Sequence, residues 1–154
     1  MKPLAKLLGS LLLIGGWAAA QSPKSESGRL ELGNGVVVEY KTSAYSPKTE
    51  GHLGPLFGTD GDIPHTTLKE LTLVQGKIKV PLDVSGMYDP WFEKPNPSRF
   101  RFRAFDSRNA ILTGIFSDAA GSYVAEWLIV DHIGVRILLS KDPLVVREKL
   151  RRSM

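Results

Sequence analysis

The chain has 154 residues, a formal net charge of +4 and no cysteine. The length suits one domain with its own core. The missing cysteines exclude disulfides, thiolate metal sites, thiol nucleophiles and a lipidated cysteine anchor.

Residues 1–20 have the three-part layout of a secretory signal peptide. Lys2 and Lys6 make a basic start, Leu7 to Trp17 is a short apolar run, and Ala18-Ala19-Ala20 supplies small residues before Gln21. A membrane span takes about 20 apolar residues, and this run is shorter. Removal of the segment would take Lys2 and Lys6 with it, leaving eighteen basic against sixteen acidic residues. A nearly balanced chain has no global attraction for nucleic acid, so none is expected as a partner. The expected address is the periplasm, with release to the medium as the alternative, and no transmembrane segment is expected once the signal is gone.

Residues 21–28 read as a flexible leader, and 29–154 as a single β-rich domain. Asn34-Gly35 lies between two apolar stretches of Arg29–Tyr40, a strong hairpin signal because both residues tolerate positive φ. Thr42 to His65 is rich in Gly, Pro, Ser and Thr and reads as a long loop. Strand character resumes over Leu68–Leu82, with Gln75-Gly76 as the turn and Pro81 ending the second strand. Pro90, Pro95 and Pro97 make Asp83–Pro97 irregular.

Four strands then follow in succession, Arg99–Phe105, Ala110–Phe116, Tyr123–Val130 and Val135–Ser140, with connections short enough for antiparallel neighbours. Asp142-Pro143 reads as a cap and first helical position, starting a short helix to about Arg152. The expected fold is all-β: an antiparallel meander of about eight strands, forming a sandwich or small barrel, with a short C-terminal helix.

Motifs for a nucleophile elbow, a phosphate loop or a zinc-binding helix are missing, and no cofactor is expected. His52, Asp60, Asp62 and His65 are ligand types within one loop, but Asp60-Gly61-Asp62 also has the composition of an ordinary turn. No metal site is therefore assigned. His132 reads as an exposed turn residue. Ser85-Gly86-Met87-Tyr88 resembles the S-G-x-Y loop of some periplasmic lysozyme inhibitors. The resemblance implies that Ser85 and Tyr88 would enter a lysozyme cleft.

Arg99 to Phe105 alternates basic and apolar residues, which puts arginines on one face of a strand and phenylalanines on the other. A four-residue loop over Asp106–Asn109 would pair Arg103 with Leu112, Arg101 with Gly114 and Arg99 with Phe116. The same counting pairs Phe116 with Tyr123, Leu112 with Trp127 and Ile129 with Arg136. One face would then carry Arg99, Arg101, Arg103, Phe116, Tyr123, Trp127 and Arg136. The core face would carry Phe100, Phe102, Ile111, Ile115, Val124, Leu128, Val130, Val135, Ile137 and Leu139, with Glu126 among them. A buried carboxylate needs a partner, and a lysine or arginine from the first half is expected to supply it.

Arginines and aromatics are enriched at binding hot spots, and guanidiniums read carboxylates and phosphates. Arg99, Arg101, Arg103, Tyr123, Trp127 and Arg136 are therefore the candidate ligand-binding residues. The expected function is non-enzymatic binding of an anionic envelope polymer or an acidic protein surface. An inhibitor or immunity-type protein against a cell-wall hydrolase, and a small hydrolase using Glu126, are the alternatives.

Overall fold

The computed structural model describes residues 25–50, 55–59, 61, 63–91 and 93–153. The expected signal segment lies outside them. The first sheet has the order β1-β2-β3-β4, formed by β1 (Glu26–Gly33), β2 (Val36–Ala44), β3 (Thr66–Gln75) and β4 (Ile78–Pro81). The second has the order β5-β6-β7-β8, formed by β5 (Phe100–Ala104), β6 (Asn109–Phe116), β7 (Tyr123–Val130) and β8 (Ile133–Ser140). All pairs are antiparallel, and α1 (Pro143–Ser153) ends the chain.

The two sheets are separate and share one core, so the fold is a sandwich. Val38, Tyr40, Leu71 and Leu73 come from the first sheet, and Leu112, Phe116, Tyr123, Ala125 and Trp127 from the second. At one side β8 lies close to β4: a Cβ added to Gly134 would sit 2.7 Å from Leu82 Cδ2. The Asn34-Gly35 turn is present with φ of 53° and 74°, as the hairpin signal requires. β1 begins at Glu26, three residues before the expected domain start, because Glu26–Gly28 pair with Tyr40–Thr42.

The second sheet has a second apolar face. Ile115 and Val124 are buried there beneath Val146 of α1, with Leu138, Val145 and Leu150 around them. Two faces that both need cover explain why β6 and β7 read as nearly continuous apolar runs. The helix starts where Asp142 accepts a hydrogen bond from the Leu144 N–H at 2.8 Å.

Candidate functional site

The six candidate residues do not form one surface. In β5 and β6, Ala104 pairs with Ala110, so Arg101 lies opposite Thr113 and Arg103 opposite Ile111. This corrects the expected register by one residue. The Asp106 carboxylate accepts from the N–H groups of Arg108 and Asn109 at 2.7 and 2.8 Å, while Phe105 N–H donates to Asn109 C=O. The β5–β6 ladder therefore closes at Ala104 and Ala110 with Phe105 outside it, and the one-residue shift exchanges the faces.

Phe116 with Tyr123 and Leu112 with Trp127 pair as expected. Their face, however, is the inner one: Phe116, Tyr123 and Trp127 are fully buried. Burial pushes the Tyr123 phenol well above its ordinary pKa. On the other side Val130, Val135 and Ile137, expected in the core, are exposed. Arg99 leaves the strand altogether. It ends a single helical turn over Pro97–Arg99 and donates to Ser117 C=O at 2.9 Å. There it lines a cavity of about 180 Å³ with Trp91, Glu93, Lys94 and Asn96.

Arg136 pairs with Trp127 rather than Ile129, because β7 and β8 join through the two-residue turn Asp131-His132, both at positive φ. It points to the inner side and holds the segment that follows β4. Its guanidinium donates to Ser85 C=O at 2.7 Å and pairs with the Asp83 carboxylate at 3.0 Å. Trp127 Nε1 donates to Asp83 C=O at 2.8 Å, and the Tyr123 hydroxyl to Tyr88 C=O at 3.1 Å. Three of the expected binding residues thus act as struts for the Asp83–Tyr88 loop. In that loop Ser85 is exposed, whereas Tyr88 is buried edge-on against Tyr45, ring centroids 5.6 Å apart.

Glu126 lies on the outer face of the second sheet, under α1. It accepts from Thr113 Oγ1 at 2.8 Å and from Lys149 Nζ at 2.7 Å. Its cation comes from the C-terminal helix, not from the first half of the chain. Cover by α1 leaves Glu126 only 7% exposed. His52, Asp60 and Asp62 lie outside the described residues, and among those described no group of metal-ligand side chains gathers. His65 faces Asp89, Nδ1 to Oδ2 being 3.7 Å, and His132 is exposed in the β7–β8 turn.

What remains of the arginine face is the uncovered half of the second sheet's outer side. Arg101 and Arg103 are exposed there, two residues apart and so about 7 Å from each other along the strand. The Arg103 guanidinium lies 4.7 Å over the ring of exposed Phe105. Ile111 and Leu128 continue the Arg103 row, half-buried, to exposed Val135. The first sheet's outer face differs in kind. Arg29 reaches Glu31 and Glu39, Lys79 reaches Glu39 and Lys41 reaches Glu70, at 2.8 to 3.9 Å. The Lys79 ammonium holds the Glu39 carboxyl below its ordinary pKa. One outer face thus carries a row of charge pairs, and the other carries two exposed arginines beside half-buried and exposed aliphatics.

Comparisons with protein-family models, curated proteins and solved structures find no match for this chain.

Proposed function

We propose that the protein is a non-enzymatic binding protein of the periplasm, and that Arg101 and Arg103 recognise an acidic protein surface. The observation that carries this reading is the composition of the second sheet's outer face, where exposed Arg101 and Arg103 stand beside exposed Phe105 and the row from Ile111 to Val135. Surface arginines beside an exposed aromatic and a flat aliphatic row have the composition of an interface rather than of a solvated face. A protein surface suits the flat, half-apolar sheet better than a flexible polymer, which would call for a groove.

The test uses the protein as bait in an envelope extract, beside the double variant Arg101→Ser/Arg103→Ser. A partner captured by the wild type should be lost from the variant, and its affinity should fall as salt rises. Capture that is unchanged in the variant would overturn the reading, as would binding to isolated anionic envelope polymer alone.

The Asp83–Tyr88 loop supports a second reading. Its anchoring to Trp127, Arg136 and Tyr123 preorganises it, which favours insertion into a partner cleft. Only Ser85 of the Ser85–Tyr88 pair reaches solvent, so an inhibitor of this kind would use Ser85 without Tyr88. Excess protein added to lysozymes of several classes tests it, and undiminished turnover removes it.

A further inference from the structure

Ser117, just after β6, holds two distant points of the chain. Its N–H donates to Pro90 C=O, and its C=O accepts from the Arg99 guanidinium, each at 2.9 Å. From the chain between those points, Trp91, Glu93, Lys94 and Asn96 line the cavity of about 180 Å³ that Arg99 and Ser117 also line. Pro90, Pro95 and Pro97 fix φ at their positions, so a ligand has less backbone freedom to remove. Trp91 is set by Tyr40 and Phe116, whose ring centroids are 5.2 and 5.8 Å away. Its Nε1 is buried and, among the described residues, has no hydrogen-bond partner. The polar groups of this lining are mostly donors. Asn96 Oδ1 accepts from Ser98 N–H at 2.9 Å, which leaves the Nδ2 hydrogens for another acceptor. Arg99 uses Nη1 on Ser117, and its Nη2 stands 3.9 Å from the Asp118 carboxylate. Among the described residues neither Lys94 nor Glu93 has an ion-pair partner.

We propose that this cavity binds a free amino acid with an apolar side chain. The carboxylate goes to Lys94 and Arg99, with the Asn96 amide as a further donor. The ammonium goes to Glu93, and the side chain lies against the Trp91 indole. Charge selects the zwitterion over its rivals. The lining carries two cations and one carboxylate, with Asp118 beside Arg99. A phosphate would meet the carboxylates as well as the cations, and a simple amine would meet the two cations. A zwitterion gives each sign its opposite. Size agrees, since 180 Å³ is room for about six waters at about 30 Å³ each. That suits one amino acid and is too small for a nucleotide or a length of polymer. Few atoms can make contact, so an affinity in the roughly micromolar to millimolar range is expected.

The inference uses none of Arg101, Arg103 and Ser85, so its failure leaves the proposed function standing. The test is a nuclear magnetic resonance titration with leucine. The readouts are the Trp91 indole N–H, identified by its loss in Trp91→Phe, and the Asn96 side-chain amide. Both signals should move along one saturating curve. Two relatives of leucine divide its charges: 4-methylpentanoate lacks the ammonium and 3-methylbutylamine lacks the carboxylate. Each should bind at least about tenfold more weakly than leucine, because each leaves charged groups of the lining without a partner. Lys94→Met should weaken leucine at least about tenfold. Glu93→Gln should remove the preference for leucine over 4-methylpentanoate. Both side chains are exposed, so the circular dichroism spectrum should not change in either variant. Signals that stay still up to the solubility limit of leucine overturn the proposal. So does 4-methylpentanoate or inorganic phosphate binding as tightly as leucine, or leucine binding undiminished in Lys94→Met.

Discussion

Glu126 is a carboxylate whose neighbours decide its role. Thr113 and Lys149 satisfy it from the sheet and the helix, so it ties α1 to the sheet. Lys149→Met should destabilise the fold by about 2–4 kcal/mol, because it leaves a nearly buried charge with one hydroxyl donor. Combining it with Glu126→Leu should recover most of the loss, since an apolar pair of similar size needs no counter-charge. Urea unfolding of the single and double variants measures both, and a single-variant cost below about 0.5 kcal/mol would mark the pair as solvent-screened. Asp83 makes a second residue-level case. Burial works to raise its pKa, but the Ser85 hydroxyl and N–H and the Arg136 guanidinium outweigh it and hold the carboxyl below its ordinary 3.8. A depressed folded pKa stabilises the loop above the unfolded value and is lost as pH falls through the folded one. Acidification below pH 3.8 should therefore loosen Asp83–Tyr88 and change the fluorescence of Trp127, whose indole is bonded to Asp83 C=O. Asp83→Asn should lack that acid step, and an identical acid response in both proteins would count against it.

At the level of elements, α1 is capped by one carboxylate and docked by one small apolar cluster. Asp142→Ala should cost about 1 kcal/mol by leaving the Leu144 N–H without its acceptor, measurable as a lower thermal midpoint. Loss of the helix signal at unchanged stability would instead show that α1 folds apart from the sheet. The elements themselves were legible because each rests on local chemistry: Asn34-Gly35 tolerates positive φ, Pro143 suits the first helical turn, and Pro90, Pro95 and Pro97 interrupt strands. The facing of the strands was not, because it depends on parity. Phe116 pairs with Tyr123 as counted, yet a one-residue shift in the β5–β6 ladder put Arg101 and Arg103 on the side away from Trp127. Alternation could not correct this, since β6 and β7 are apolar on both faces, one for the other sheet and one for α1. Size carries the signal that alternation lacks: Phe116, Tyr123 and Trp127 are the largest fully buried side chains, and the bulkier of two apolar faces belongs to the main core.

The whole molecule is two sheets around one aromatic-rich core, with its outer sides put to different uses. Phe116 stacks on Tyr123, ring centroids 5.2 Å apart, and meets Phe100 and Trp91 at 5.5 and 5.8 Å. Trp91 in turn sits edge-on to Tyr40 of the first sheet at 5.2 Å. Neither sheet can lose its partner without exposing these rings, and no disulfide is available to hold half of the fold in place. Unfolding should therefore be one transition. In urea, Trp fluorescence, which samples the core, and far-ultraviolet circular dichroism, which samples both sheets, should give coincident curves with a slope of about 1–3 kcal/mol/M. Reductant should change neither curve. If the fluorescence changed first while β signal persisted, the sheets would be separable units. The core contacts that unite them would then contribute less than about 0.5–1.5 kcal/mol per aromatic pair beyond simple burial.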